Sequence, residues 1–360
     1  MPIDQAYNAP LAALFAPFES RALAWPERAA FLRARWGPPF SSYPTSGVVC
    51  EQSFKPDAGA LRGAGLAVTP FIEPISGGFP LVLVLPPRQR DEARAALARA
   101  VRLAEPSGRV VAAASNTSGA RSLEADLESL VGSIESYSKH KCRVFWSRPL
   151  SEAVIDGLRV DAWQTLDAPR PILDGRFVSR PGVFAWDRID PASELLAEHL
   201  PADLAGRAAD LGAGFGFLAA ELLRRCAGIT ALDLYEAEAR ALDLARRNLA
   251  ASAEATATRG QPPIEYYWHD VTSGLPATYD VIVTNPPFHT GGGSEDPGVG
   301  RRFIAAAAAA LNPGGRLWLV ANRHLPYESV LNASFGTVRS VAQRHGFKVI
   351  EARRTGSVAR

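Results

Sequence analysis

The apolar positions of this chain fall into the same order twice. Phe79-Pro80-Leu81-Val82-Leu83-Val84-Leu85 is an apolar run closed by Pro86-Pro87, and a short run of this kind bounded by breakers reads as a buried strand. Ala and Leu recur at helical spacing from Asp91 to Leu103, Ser107-Gly108 ends that helix, and Arg109 to Ala114 reads as a further strand. Later, Val281-Ile282-Val283 leads into Asn285-Pro286-Pro287, an Ala-rich helix runs from about Arg301 to Leu311, and Pro313-Gly314-Gly315 stops it before Leu317-Trp318-Leu319-Val320. Strand, Pro-Pro, helix, Gly stop and strand therefore occur twice, the pattern of two related α/β units. Residues 1 to about 45 hold aromatic and apolar residues interrupted by prolines, which predicts short helices packed on a domain. No clear periodicity runs from Asp161 to Arg170, which places the boundary there, with one domain over 1–168 and another over 169–360.

The two copies differ where chemistry would sit. In the second, Pro286 has no N–H to donate, so the chain must leave the sheet at Asn285. That puts Asn285 at the carboxyl end of a strand, where open α/β sheets bind ligands. The Asn285 side chain and the Pro286 carbonyl offer two acceptors to one amine, and Phe288 offers a face on which a flat base can stack. In the first copy Leu85 occupies the place of Asn285, and no Gly-rich turn precedes it. That copy reads as a scaffold or recognition domain.

Upstream of Asn285, Asp210-Leu211-Gly212-Ala213-Gly214-Phe215-Gly216 turns a strand into a helix whose buried side is Leu218, Leu222 and Leu223. Glycines at alternate positions let the backbone approach a ligand closely. A dinucleotide fingerprint would have its third glycine one residue further on, which counts against a nicotinamide dehydrogenase. The spacing suits the loop that cradles the amino-acid end of S-adenosylmethionine, with Asp210 orienting the loop or the cofactor's ammonium. A second strand, Ile229 to Tyr235, ends among acids. A carboxylate for the ribose hydroxyls should lie about 20 residues past the glycines. Glu236 lies 20 residues beyond Gly216 and Asp233 17. Glu236 also precedes Ala241-Leu242 by five residues, which selects it and leaves Asp233 as an internal strand residue. Asp270, after the aromatic strand Tyr266-Tyr267-Trp268, can accept the adenine amino group beside His269 and Val271, or cap a turn.

These residues resemble a family. The glycine loop and Asn285-Pro286-Pro287-Phe288-His289 look like a class I methyltransferase acting on an exocyclic amine. Val320-Ala321-Asn322-Arg323-His324-Leu325-Pro326-Tyr327, and Arg180-Pro181-Gly182-Val183-Phe184 followed by Asp190, are more specific. Together they resemble the ribosomal RNA guanine-N2 methyltransferases of the small-subunit (RsmC) type, over residues from about 175 to 354. The resemblance implies two tandem Rossmann-like methyltransferase domains, the N-terminal one degenerate and the C-terminal one catalytic. It implies methyl transfer from S-adenosylmethionine to a guanine N2 in 16S ribosomal RNA, with ribosomal RNA or the small subunit as partner. Asn285, Pro286 and Phe288 would be catalytic. Asp210, Gly212, Gly214, Gly216, Glu236, Asp270 and Asn285 would bind the cofactor. His289 would relay a proton or serve the turn. Ala213 and Phe215 depart from the family's commoner Cys and small residue, so Phe215 would reshape the pocket's rim. The rival readings are the same chemistry on adenine N6 or a protein glutamine, and a non-catalytic RNA-binding or assembly factor.

Charge and composition add little. The chain has 360 residues, 47% of them hydrophobic, and a formal net charge of +2, so global charge does not announce nucleic acid. Tyr137 to Trp146 interleaves Lys139, Lys141 and Arg143 with aromatics, which suits single-stranded RNA or equally an edge strand with alternating faces. Cys50, Cys142 and Cys226 are far apart, with no metal-ligand spacing, and point to a reducing compartment. No basic segment followed by an apolar run opens the chain and no uncharged stretch is long enough to span a bilayer. A cytoplasmic protein without metal or membrane contact is the expectation.

Overall fold

The computed structural model describes residues 5–255, 262–287 and 297–356. By contact it divides into two compact units, one of residues 1–168 with 180–182, the other of 169–179 with 183–360.

The first unit holds β1 (Ala29–Leu32), β2 (Val48–Glu51), β3 (Ala67–Thr69), β4 (Phe79–Val84), β5 (Ala104–Ser115), β6 (Ile134–Lys139) and β7 (Cys142–Ser147). They form one sheet in the order β3-β2-β1-β4-β5-β7-β6. The first five strands pair in parallel, while β7 runs antiparallel to both β5 and β6. The expectation of helices alone over 1–45 is corrected here. A helix does occupy Gln5–Glu19, but Ala29-Ala30-Phe31-Leu32 is an inner strand of the sheet, between β2 and β4, and is buried throughout. Four apolar residues are too few for periodicity to tell strand from helix.

In the second unit a small hairpin, β8 (Arg170–Ile172) and β9 (Phe177–Ser179), precedes β10 (Ala205–Leu211), β11 (Gly228–Glu236), β12 (Ile264–Trp268), β13 (Tyr279–Thr284), β14 (Leu311–Asn322), β15 (Thr337–Arg344) and β16 (Phe347–Arg353). The order is β12-β11-β10-β13-β14-β16-β15, the same arrangement as in the first unit. Both sheet faces are covered, which is why the central strands are apolar without alternation. Val281 and Val283 pack with the helices Pro191–His199, Phe217–Arg225 and Ala239–Ala255, while Ile282 between them packs with Pro297–Ala310.

The chain moves outward from β10 to β12, then returns to β13 on the other side of β10. Loops leaving β10 and β13 diverge at their carboxyl ends, which opens a crevice there. Leu211 lies opposite Thr284 in register, so the next residues, Gly212 and Asn285, leave neighbouring strands side by side. The Thr284 hydroxyl donates to the Leu211 carbonyl at 2.7 Å and fastens the two strand ends.

Candidate active site

The glycine loop is stitched to the end of β11. The amides of Gly212 and Ala213 donate to the Tyr235 carbonyl at 2.8 and 3.2 Å, and the Gly214 amide donates to Glu236 Oε2 at 2.7 Å. The other Glu236 oxygen accepts from the Glu238 amide at 2.8 Å. Gly212, Gly214 and Gly216 have φ of 73, 56 and 90°, the left-handed region that side chains disfavour. A Cβ at Gly214 would meet nothing within 4 Å, whereas one at Gly216 would sit 3.2 Å from Ala245. The loop therefore turns an open face outward at Gly214 and packs on the helix Ala239–Ala255 at Gly216.

Asp210 and Asp233 separate cleanly. The Asp233 carboxylate accepts from Arg207 at 2.6 Å and from the Tyr279 hydroxyl at 2.7 Å, and Tyr279 also touches the Tyr235 hydroxyl at 2.5 Å. The Asp233 carboxylate is buried, and its Arg207 partner is exposed to solvent. Asp210 is fully buried, yet neither carboxylate oxygen has a hydrogen-bond partner in the structure. Burial, with repulsion from Glu236, pushes its pKa up to about 8, and the Ala219 amide offsets part of the shift from outside hydrogen-bonding geometry. Burial also raises the Glu236 pKa, against the amides of Glu238 and Gly214 that favour its charged form.

Asn285 lines one cleft with Gly212, Gly214, Asp190 and Phe184. Its amide nitrogen donates to Asp190 Oδ2 and to Ser193 Oγ, both at 2.9 Å. Asp190 caps the helix Pro191–His199 by accepting from the Ser193 amide at 2.9 Å. Pro286 is buried and Pro287 exposed. Phe288 and His289 lie outside the described residues. Asp270 takes the capping geometry: its Oδ1 accepts from the Thr272 amide at 2.9 Å and from the Thr272 hydroxyl at 2.7 Å. His269 contacts the Gly274 carbonyl at 2.6 Å.

Three contributors carried no role in the sequence reading. Phe184, from the loop before the helix Pro191–His199, is an exposed ring on the cleft's wall, 60% accessible. Ser193 reaches Asn285 across 92 positions of sequence. Asn248 is buried, accepts from the Val178 amide at 2.7 Å and donates to the Phe215 carbonyl at 2.8 Å, so it ties β9 to the glycine loop. Their signal is weak because one Asn in a helix and one Ser in a first turn look like ordinary solvated or capping residues. The bulk of Phe215 goes down into a cluster with Phe177, ring centroids 5.8 Å apart, as well as lining the cleft.

The first unit has the same positions without the chemistry. Leu32 pairs with Glu51 and Val84 as Leu211 pairs with Tyr235 and Thr284, so Arg33, Gln52 and Leu85 stand where Gly212, Glu236 and Asn285 stand. Arg33 takes a φ of 54° and pairs with Glu92 at 2.7 Å. Gln52 donates to the Ala34 carbonyl at 2.7 Å and accepts from the Phe54 amide at 2.9 Å. Of the cations in its edge hairpin, Arg143 is held by Glu124 and Lys139 by Glu19, while Lys141 is exposed at the turn. Among the described residues no group of three or more His, Cys, Asp or Glu side chains is placed to hold a metal, and no helix is long and apolar enough to cross a membrane.

A seven-stranded sheet in this order, closed by an antiparallel hairpin, with a glycine loop and an acid on adjoining strand ends, defines a class I S-adenosylmethionine-dependent methyltransferase. Residues 174–351 match the methyltransferase small domain family. The chain is 31% identical over 285 residues to the ribosomal RNA small subunit methyltransferase C of Shewanella loihica, covering 78% of this chain and 79% of that protein. It is 31% identical over 267 residues to the protein of the same name from Escherichia coli O7:K1, covering 74% and 73%. A solved T. thermophilus 16S rRNA N2 G1207 methyltransferase (RsmC), in complex with AdoMet and guanosine, superposes with a TM-score of 0.77 at 26% identity, over 97% of this chain and 93% of that one. The chain belongs to the family of RsmC-type ribosomal RNA small subunit methyltransferases.

Proposed function

We infer that this protein transfers a methyl group from S-adenosylmethionine to the exocyclic N2 amine of a guanine in 16S ribosomal RNA. The observation that carries this reading is the adjacency of Gly212 and Asn285 on neighbouring strand ends: a loop suited to the cofactor and an acceptor suited to an amine share one cleft. The relationship to the RsmC family supplies the base and the RNA. The residues present fit this cofactor. Asp210 is a buried carboxyl with both oxygens unpartnered, apt for an ammonium, and Glu236 stands at the strand end where ribose hydroxyls need a carboxylate.

When bound, S-adenosylmethionine supplies an electrophilic methyl on a sulfonium, so this chain's residues have mainly to align the amine. Gly212, Gly214 and Gly216 would give the cofactor close backbone approach, and Glu236 would hold its ribose. Asp270 would reach the adenine with the oxygen not engaged by Thr272. Asn285 Oδ1 and the Pro286 carbonyl would accept the two hydrogens of N2, localising the nitrogen lone pair toward the methyl. Phe288 and Phe184 would stack on a base splayed out of its helix. No strong base is required, since the methylated amine is acidic and loses its proton to water. In the degenerate first unit, Lys141, and Lys139 whose pair with Glu19 is exposed, would meet phosphates at the edge hairpin; Arg143, held by Glu124 in a half-buried pair, would not.

Mapping methylated nucleosides by mass spectrometry, after incubating unmodified small subunits or their RNA with the protein and cofactor, tests this directly. N2-methylguanosine is expected. N6-methyladenosine, or label in ribosomal protein alone, would overturn it.

A further inference from the structure

The amide of Asn285 can accept from a substrate amine only if its oxygen, not its nitrogen, faces the cleft. The geometry assigns that choice to Asp190 and Ser193: we propose that they are positioning residues which lock the Asn285 carboxamide with its carbonyl toward the substrate. This rests on the function proposed above and says how that site tells an amine from a carbonyl.

Asn285 Nδ2 lies 2.9 Å from both Asp190 Oδ2 and Ser193 Oγ. A carboxylate accepts and does not donate, so turning the amide over would set Asn285 Oδ1 against Asp190 Oδ2, two acceptors in contact. The NH2 group must therefore point at Asp190, with one hydrogen donated to Asp190 and the other to Ser193. Asp190 is itself fixed, because the same Oδ2 accepts from the Ser193 amide at 2.9 Å as the cap of the helix Pro191–His199. All three groups line the same cleft as Gly212 and Gly214. The oxygen that remains repels a carbonyl and receives an N–H. A base with an exocyclic amine at this point is accepted, and one with a carbonyl there is rejected, because a buried acceptor facing an acceptor stays unpaired.

A substitution cycle reads the lock apart from the fold. Asp190→Asn keeps a good helix cap but can offer either a donor or an acceptor to residue 285, so the amide is free to turn. We expect kcat to fall on the order of 10²-fold, the effect of a small misplacement at the reacting centre, with cofactor affinity by calorimetry and melting temperature unchanged. Asn285→Asp places two carboxylates in contact and should lose more. Asp190→Asn combined with Asn285→Asp restores a donor–acceptor pair, since the amide at 190 donates to the carboxylate at 285, and should recover kcat roughly 10-fold over Asn285→Asp alone. A wild-type kcat for Asp190→Asn, or a double variant no better than Asn285→Asp, overturns the proposal. A wild-type product other than N2-methylguanosine overturns the proposed function instead, and the cycle is then read on that product.

Discussion

Glu236 and Gly214 are joined by a 2.7 Å hydrogen bond in which the loop amide donates to the carboxylate. In the first unit the corresponding strand end carries Gln52, whose amide nitrogen donates to the Ala34 carbonyl. The same place in two copies of one fold thus holds two acceptor oxygens in one, and in the other a single acceptor oxygen beside a donor. A ribose offers hydroxyl hydrogens, which only the carboxylate receives with two oxygens.

Glu236→Gln should therefore weaken cofactor binding while the sheet stays intact. Hydrogen bonds to a charged partner are worth about 1.5–3 kcal/mol, which corresponds to roughly 10- to 100-fold in Kd. Titration calorimetry with S-adenosylmethionine checks it; an unchanged affinity would remove Glu236 from the ribose role.

Asp210 makes stability depend on pH in a defined direction. Its pKa is near 3.8 unfolded and about 8 in the fold, so between those values the folded chain holds a proton that the unfolded chain has released. Stability then falls as pH rises. The contribution is intact below about 4, declines through the window, and is lost above about 8. Asp210→Asn removes this titration. Compared by thermal melting without cofactor, the variant should gain on the wild type as pH rises from 5 to 8. A constant difference across that range would contradict the burial argument.

Asn248→Ala strands the Val178 amide and the Phe215 carbonyl without their partner. Unsatisfied buried groups cost about 1–3 kcal/mol each, so chemical denaturation should show a loss of roughly 2–5 kcal/mol. Because Phe215 belongs to the glycine loop, cofactor affinity should fall as well; Leu249, one position on but in the aliphatic cluster, gives a control in which Leu249→Ala lowers stability with less effect on binding.

Phe184→Ala should raise KM for RNA and lower kcat, with cofactor affinity preserved, since the ring is exposed on the cleft wall. Base stacking on an aromatic is worth about 1–3 kcal/mol, so kcat/KM should drop roughly 5- to 150-fold by that measure. Phe184→Tyr should restore most of it. Wild-type kinetics in the alanine variant would leave stacking to other residues.

The local order of residues was enough to place Asp210, the alternating glycines and Asn285 at strand ends, because Gly and Pro impose backbone limits that hold in any context. It was also enough to prefer Glu236 over Asp233 by distance from the loop, and to recognise a repeat from two runs that end in Pro-Pro. The inner strand Ala29–Leu32 escaped it, since four buried residues carry no period and become a strand only when β2 and β4 pair on either side. The tertiary structure alone brought Asp190 and Ser193 to Asn285, set Asn248 under the glycine loop and bound Arg143 to Glu124, because hydrogen bonds between residues distant in the chain depend on how layers pack and leave no local trace. It also showed that Asp270 engages Thr272 through one oxygen, a local cap that spacing does not encode.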